Sequence, residues 1–309
     1  MKLLNPKIIL CLFLLVTVAT FWTGCSCDAD GPNLHFPIEV GERPESITRA
    51  WGGNYYVTVM NGKEEGDGVV KVIQGESVSV FATGLDEPKG IAFVNDHLVV
   101  SDLKRVIKID AKGNTSVLAG PDSFQYPPSY LNDIAVDADE TGVYVTDMGA
   151  NTKMMGPNGL WPLDSPEAAA MPVEGRIYHI TMDGKVTLIV DSNPLMTNPN
   201  GIGVGNDGQL LIGAFFKGNL LIYKDGALSV LVADELRGAD AVEQDDDGYY
   251  YVSSWSKAKV WKISEDGSSV IVLQDGFQSA ADFYLEDNYG RLLLPDMLAG
   301  KIYDVPINN

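Results

Sequence analysis

The sequence predicts an all-β protein folded as a six-bladed β-propeller, in which an N-terminal strand closes the last blade. Three observations predict this fold. A similar unit starts six times along the chain, each unit contains short apolar strands separated by Gly, Asp or Asn turns, and no long helical period follows the N-terminus. Repeats of this length with strand periodicity are typical of propellers.

The unit repeats at nearly constant spacing. Its six starts are Glu45, Lys89, Asn132, Asn200, Asp240 and Asp282. Successive starts are 44, 43, 68, 40 and 42 residues apart, and the long interval contains an insertion between Gly149 and Gly175. Four units align without a gap over sixteen positions: ESITRAWGGNYYVTVM, NGIGVGNDGQLLIGAF, DAVEQDDDGYYYVSSW and DFYLEDNYGRLLLPDM.

Each unit reads as four strands. A short apolar strand, a polar turn and a second strand are followed by a hairpin such as GNLLIYKDGALSVLV, whose Asp-Gly pair is a two-residue turn signal. The sixth unit ends after its third strand, GKIYDVPI. Because a propeller must close, we predict that residues 34–40 (LHFPIEV) supply the fourth strand of the last blade.

The N-terminus has the pattern of an export signal. Lys2 and Lys7 precede an apolar run from Ile8 to Phe21, which is short for a membrane span. The following tetrad, Trp-Thr-Gly-Cys25, resembles a bacterial lipobox, with Trp in place of the usual Leu. We therefore predict a signal peptide over 1–24, lipidation at Cys25, a tether over 25–33 and a propeller domain over 34–309, held at the cell envelope as a lipoprotein.

Charge and cysteine content exclude several classes of function. The chain has a formal net charge of −20, which makes nucleic acid an improbable partner, so membrane contact is expected through the lipid anchor only. The three cysteines lie at positions 11, 25 and 27, outside the predicted domain. The domain therefore has no disulfide, thiolate metal site or cysteine nucleophile. We also expect a monomer with a small-molecule substrate.

The first strand of each blade lines the central channel of a propeller, so the six starting residues should form a ring. That ring has three carboxylates (Glu45, Asp240, Asp282), two amides (Asn132, Asn200) and Lys89. Oxygen ligands without Cys or His favour Ca²⁺, with Mg²⁺ or Mn²⁺ as alternatives. The other interpretation is that Asn and Asp satisfy turn backbone groups while Lys89 neutralises Asp282 or Glu45.

Four of these residues carry a family resemblance: Glu45 in PESI, Asn132 in LNDIAVD, Asn200 in PNGIGV and Asp240 in ADAVEQDDDG. This ordered quartet resembles the senescence marker protein/gluconolactonase/luciferin-regenerating enzyme group, with diisopropyl fluorophosphatase and paraoxonase as relatives. The resemblance covers nearly the whole domain and implies that the quartet holds one catalytic Ca²⁺. The chain departs from the family where Ser46 follows Glu45, where Ala241 follows Asp240, and at Lys89.

The resemblance implies a lipid-anchored, calcium-dependent hydrolase that acts on a small lactone or ester. Either Asp240 or Asp282 would be the general base: the family favours Asp240, whereas Asp282 is free of metal duty. The long insertion should lie over the channel mouth, so Lys89, Tyr130 and Trp161 are the candidate substrate-binding residues. The alternatives are a non-catalytic ligand- or protein-binding propeller lipoprotein, and a family member that has lost turnover.

Overall fold

The computed structural model describes residues 34–62 and 64–308. The predicted signal peptide, tether and lipidation site at Cys25 lie outside the described residues. Within them the chain forms six four-stranded antiparallel sheets and one small hairpin. The predicted all-β, six-bladed propeller is therefore confirmed.

The first five blades are antiparallel meanders whose strands pair in chain order. Blade one comprises Pro44–Arg49, Tyr55–Val59, Gly68–Gln74 and Ser77–Leu85. Blade two comprises Pro88–Val94, His97–Asp102, Arg105–Ile109 and Thr115–Ala119. Blade three comprises Leu131–Val136, Gly142–Asp147, Arg176–Thr181 and Val186–Val190. Blade four comprises Pro199–Val204, Leu210–Ala214, Leu220–Lys224 and Ala227–Val232. Blade five comprises Ala239–Gln244, Tyr250–Ser254, Lys259–Ile263 and Val270–Asp275.

The sixth blade is closed by the N-terminal end of the domain. Its strands are Tyr284–Glu286, Arg291–Asp296, Lys301–Pro306 and the N-terminal Ile38–Glu39. Ile38 pairs with Ile302, and the Val40 N–H donates to the Gly300 carbonyl at 3.0 Å. The predicted closure is confirmed. It joins the two ends of the domain, so that the last blade has four strands like the others.

The register of blade six differs from the gapless alignment. In blade one Pro44, which precedes Glu45, pairs with Val59, and in blade six Ala280 pairs with Asp296 in the same way. Ala281 therefore occupies the place of Glu45, and Asp282 lies one residue further along. The cause is a first hairpin one residue longer, because Ala280 and Asp296 are 16 positions apart whereas Pro44 and Val59 are 15 apart. The hairpin turns through the 3₁₀ helix Asp287–Tyr289 and Gly290 at φ 60°. The assignment of Asp282 to the starting position is wrong.

Apolar residues from neighbouring blades pack against each other and leave the first strands close together at the axis. One such cluster joins Val94 and Val99 of blade two to Leu131 and Val145 of blade three. At the axis a Cβ on Gly201 would lie 1.9 Å from the Asp240 carbonyl oxygen, so this contact requires glycine. The close approach directs the side chains at the strand starts toward a common centre.

The insertion between Gly149 and Gly175 has its own short elements. It contains the helices Asn151–Met154 and Pro166–Ala169 and the hairpin strands Met155–Gly156 and Gly159–Leu160. Further 3₁₀ turns lie at Trp51–Gly53, Pro121–Ser123 and Pro194–Met196. Across the described ranges, no helix is long and apolar enough to cross a membrane.

Candidate metal and substrate site

A cavity of about 550 Å³ opens where the first strands begin. Five of the six predicted ring residues line it: Glu45, Lys89, Asn132, Asn200 and Asp240. They come from five successive blades, and each occupies the same position in its blade. The structure therefore brings the polar ring together, and only the sixth position, Ala281, is apolar.

Three oxygen atoms of this ring are buried without a hydrogen-bond donor among the described residues. They are Glu45 Oε2, Asn132 Oδ1 and Asn200 Oδ1. The fourth predicted ligand, Asp240, accepts a hydrogen bond from Asn200 Nδ2 at 2.6 Å. A buried oxygen without a partner costs about 1–3 kcal/mol, so three of them beside one cavity indicate a site arranged for a further group.

The electrostatics of the ring favour a cation. Burial, and next the charge of Asp240, raise the pKa of Glu45 well above its ordinary value. Burial, and next the charge of Asp282, raise the pKa of Asp240 to about 8. The Lys89 ammonium lowers both pKa values but does not offset these effects. A divalent ion bound between the carboxylates would favour their charged forms.

The donor chemistry fits a hard divalent cation. In the part of the chain that the structure describes, no group of three or more His, Cys, Asp or Glu side chains is placed to hold a metal. A metal at this ring would therefore depend on the two amide oxygens as well as the carboxylates. The resulting set is Glu45, Asn132, Asn200 and Asp240, which is made entirely of oxygen donors, as Ca²⁺ prefers.

The Lys89 side chain of the ring contacts side chains from blades one to three. Its Nζ lies 3.7 Å from Glu87 Oε2, 3.1 Å from Met60 Sδ and 4.7 Å from the centre of the Tyr130 ring. The Tyr130 hydroxyl donates to Glu87 Oε2 at 3.1 Å. Burial alone would lower the pKa of Lys89, but Tyr130 and Glu45 raise it, so a charged ammonium faces the cavity.

The insertion lines the cavity, although not through the residue that the sequence suggested. Met154, Met155 and Leu160 are cavity-lining residues, whereas Trp161 is not among them. The Trp161 ring lies so close to Gly156 that a Cβ there would be 2.9 Å from it. Trp161 therefore packs within the insertion, and its neighbour Leu160 faces the substrate space.

Five large apolar residues above the ring escaped the sequence analysis. They are Met60, Met148, Phe215, Trp255 and Met297, which all line the cavity and are called here the collar. Each immediately follows the second strand of its blade, and each donates its backbone N–H to the carbonyl of the residue before the first paired residue of that blade, which in blade six is Ala280. The signal was present, because four of them are the last residue of the sixteen-residue alignment.

Asp282 belongs to a different cavity of about 300 Å³, which also contains Asp133 and Glu243. This second cavity is lined by the later residues of the first strands, such as Arg49 and Val136, so it lies toward the other end of the channel. Ser46 Oγ donates to Asp282 Oδ2. Burial raises the pKa of Asp282 to about 6.

Asp133 Oδ2 accepts from the Ile202 N–H at 2.7 Å and its Oδ1 from the Ile134 N–H at 2.6 Å. These bonds tie the first strands of blades three and four together. Asp282 therefore lies beside a structural carboxylate. Its charge still raises the pKa of Asp240, but of the two proposed bases only Asp240 lines the upper cavity.

Comparison with known proteins gives matches in structure only. No family profile matches the chain, and no curated protein matches it in sequence. A protein solved as a candidate gluconolactonase superposes with a TM-score of 0.65 at 13% identity, over 87% of this chain and 90% of that chain. Regucalcin from Agrobacterium tumefaciens, described as a calcium-binding protein, gives 0.64 at 16% identity over the same shares. The fold is that of the gluconolactonase and regucalcin propellers.

A further match has a different chemistry. A catalytically inactive variant of virginiamycin B lyase from Staphylococcus aureus, solved with quinupristin, gives a TM-score of 0.58 at 13% identity, over 87% of this chain and 97% of that chain. The fold resemblance stated from the sequence is thus confirmed. Because related folds host both lactonase-type and lyase chemistry, the reaction must be argued from the site.

Proposed function

We propose that this protein is a calcium-dependent hydrolase that opens a small lactone or ester. The observation that carries the proposal is the set of unpaired, buried oxygens of Glu45, Asn132 and Asn200 beside one cavity. With Asp240 they would hold Ca²⁺ by oxygen atoms alone. When bound, the ion would polarise the substrate carbonyl and stabilise the charge that develops on its oxygen.

Asp240 is the general base of this proposal. Its carboxylate would take a proton from water as the water oxygen forms a bond to the carbonyl carbon of the substrate. It would return that proton to the leaving oxygen of the lactone or ester as the bond between that oxygen and the carbonyl carbon breaks. The hydrogen bond from Asn200 Nδ2 fixes the orientation of the carboxylate. Asp282 has no place in this step, because it lines the other cavity.

Lys89 and Tyr130 would bind the polar part of the substrate. The ammonium faces the cavity beside the ring, and the Tyr130 ring and the Glu87 carboxylate hold it there. A positive charge at this point attracts an anionic substrate group, or the carboxylate that ring opening releases. The insertion would exclude water from the other side through Met154 and Leu160.

The chain is further proposed to be a lipoprotein of the cell envelope, anchored through Cys25. The basic residues, the apolar run and the lipobox-like tetrad of the N-terminus support this proposal. Metabolic labelling with a radioactive fatty acid tests it: label should enter the wild type and should be absent from a Cys25→Ser variant. Equal labelling of the two would contradict the anchor.

Metal analysis and a panel of lactones test the enzyme proposal. The purified protein should retain about one equivalent of calcium, hydrolyse at least one lactone or ester, and lose that activity in a chelator until calcium is restored. An Asn132→Ala variant should need more calcium for half-maximal activity. Stoichiometric calcium without turnover on any substrate would favour the non-catalytic binding propeller instead.

A further inference from the structure

The cavity above the ring has two chemically different sides. Blades one to three place the polar side chains of Arg43, Glu87, Lys89 and Tyr130 on one side. The collar residues of blades three to five and the insertion supply the other side, and there the side chains are Met, Phe, Trp and Leu together with the hydroxyl-bearing Thr152. A ligand that fills this cavity must therefore present a polar group to one side and an apolar group to the other.

The polar groups above the ring already have partners within the protein, so Lys89 and Tyr130 can bind one polar group of a substrate rather than several. Glu87 accepts from Tyr130 and lies 3.7 Å from the Lys89 ammonium, while Arg43 donates to the Gly62 carbonyl. Several sugar hydroxyls buried here would have few free partners, and each unpaired hydroxyl would cost free energy. The apolar side offers thioether and aromatic groups instead, which gain free energy as hydrocarbon is buried.

We infer that the substrate class is a lactone or ester that carries an alkyl or aryl substituent, rather than a polyhydroxylated sugar lactone. The inference rests on the proposed function for the reacting group, but the collar alone carries the choice of substituent. The reacting carbonyl lies at the ring, and the substituent extends between Phe215, Trp255 and the insertion. Phe215 is 4% exposed and Trp255 is only partly buried, so the two form a wall that a ligand can reach.

The cavity has room for such a substituent. Its volume of about 550 Å³ lies within the range that holds small organic ligands. Methionine has an unbranched and flexible side chain, so Met148, Met154 and Met155 can adapt to chains of different length. The affinity should rise about fourfold for each buried methylene, which corresponds to about 0.8 kcal/mol.

Binding of lactams tests the inference without turnover. Lactams that carry alkyl chains lengthened one methylene at a time, and one polyhydroxylated lactam, are titrated into the purified full-length protein with calcium present, by calorimetry. The affinity should increase about fourfold per methylene until the chain fills the cavity, and the polyhydroxylated lactam should bind more weakly than any of them. A flat series, or tighter binding of the polyhydroxylated compound, would overturn the inference.

Collar variants locate the effect. Trp255→Ala should lower the affinity for the longest alkyl lactam about tenfold while changing the affinity for the polyhydroxylated lactam little. Phe215→Leu is a milder second variant, which keeps the test open if Trp255→Ala does not fold. Leu103→Ala is the matched control, because Leu103 follows the second strand of blade two but does not line the cavity. An equal loss in Leu103→Ala would contradict the role of the collar.

The corresponding lactones separate this inference from the proposed function. If alkyl lactams bind in the expected order and no lactone is hydrolysed, the hydrolase proposal fails while the ligand class stands. If lactones are hydrolysed and the polyhydroxylated one is preferred, the hydrolase proposal stands and the ligand class is wrong.

Discussion

Replacing Asn132 by leucine should stabilise the calcium-free protein, although it removes a predicted ligand. Within residues 34–62 and 64–308, the Oδ1 atom of Asn132 is buried without a donor, and its Nδ2 donates to the Met148 sulfur, which is a weak acceptor. An unpaired buried oxygen costs about 1–3 kcal/mol, and an apolar side chain of similar size removes that cost. The free energy of unfolding without calcium should therefore rise by up to that amount.

Calcium should reverse the order of stability of the wild type and the Asn132→Leu variant. At a calcium concentration one hundred times the dissociation constant, wild type gains about 2.7 kcal/mol, which raises its melting temperature by about 5–11 °C at roughly 2–4 °C per kcal/mol. The leucine variant has lost one of four ligands and should gain much less. Calorimetric melting curves of both proteins, with chelator and with calcium, measure this crossing.

Asn219 provides the matched control. It is buried like Asn132, with 2% of its surface exposed against 5%, but its Nδ2 donates to the Leu195 carbonyl and its Oδ1 accepts from the Asp234 N–H. Asn219→Leu should therefore lower the free energy of unfolding by about 1–3 kcal/mol and leave the calcium response intact. If Asn132→Leu behaves like this control, being destabilised and still stabilised by calcium, the unpaired oxygen is not part of a cation site.

Three further variants probe the base and the turn of blade three. Asp240→Asn should lower kcat by about 10²–10⁴-fold. Asp282→Asn should keep most of kcat, because Asp282 lies in the other cavity, but it should move the pH profile of kcat to lower pH, because the charge of Asp282 raises the pKa of Asp240; steady-state kinetics on one lactone decide this. Burial alone would raise the pKa of Asp137, but hydrogen bonds from His179 and Thr141 lower it below its ordinary value. Its carboxylate therefore stabilises the folded protein above the pKa of the unfolded chain, and this stability is lost as the pH falls through the folded-state pKa. Asp137→Ala should cost about 1–2 kcal/mol at pH 7 and little in acid, measured by urea unfolding; an equal cost at both pH values would contradict it.

The fold was accessible from the sequence because a propeller repeats its local pattern. The blade length, the Asp-Gly hairpins and the missing fourth strand of the last unit together determined the number of blades and their closure. The pairing of Ile38 with Ile302 follows from the same requirement, since blade six needs a fourth strand. Register within one blade was harder to predict, because a first hairpin one residue longer moved Asp282 out of the ring without changing the hydrophobic pattern.

The site residues could be predicted only in part from the sequence, for a different reason. Glu45, Asn132, Asn200 and Asp240 lie at the same register irregularity near the start of the first strand of each blade, so the repeat fixes where they point. Trp161 sits in the insertion, whose packing depends on tertiary contacts such as the approach of its ring to Gly156. The sequence pattern identifies such residues as large and apolar, but it does not decide which of two neighbours faces the cavity.

Two positions of the repeat together define this site. In each blade the start of the first strand and the end of the second strand lie side by side, as the pairing of Pro44 with Val59 illustrates, so one position supplies the ring and the other supplies the collar. The six pairs, in blade order, are Glu45 and Met60, Lys89 and Leu103, Asn132 and Met148, Asn200 and Phe215, Asp240 and Trp255, and Ala281 and Met297. In five of the six blades, the bond that places the collar residue joins backbone atoms, so its side chain can change without loss of that bond. In the proposed function the ring would bind the metal and the collar would select the substrate. The contacts of Asn132 Nδ2 with Met148 Sδ and of Lys89 Nζ with Met60 Sδ join the two sets of side chains, so a change in one should affect the other.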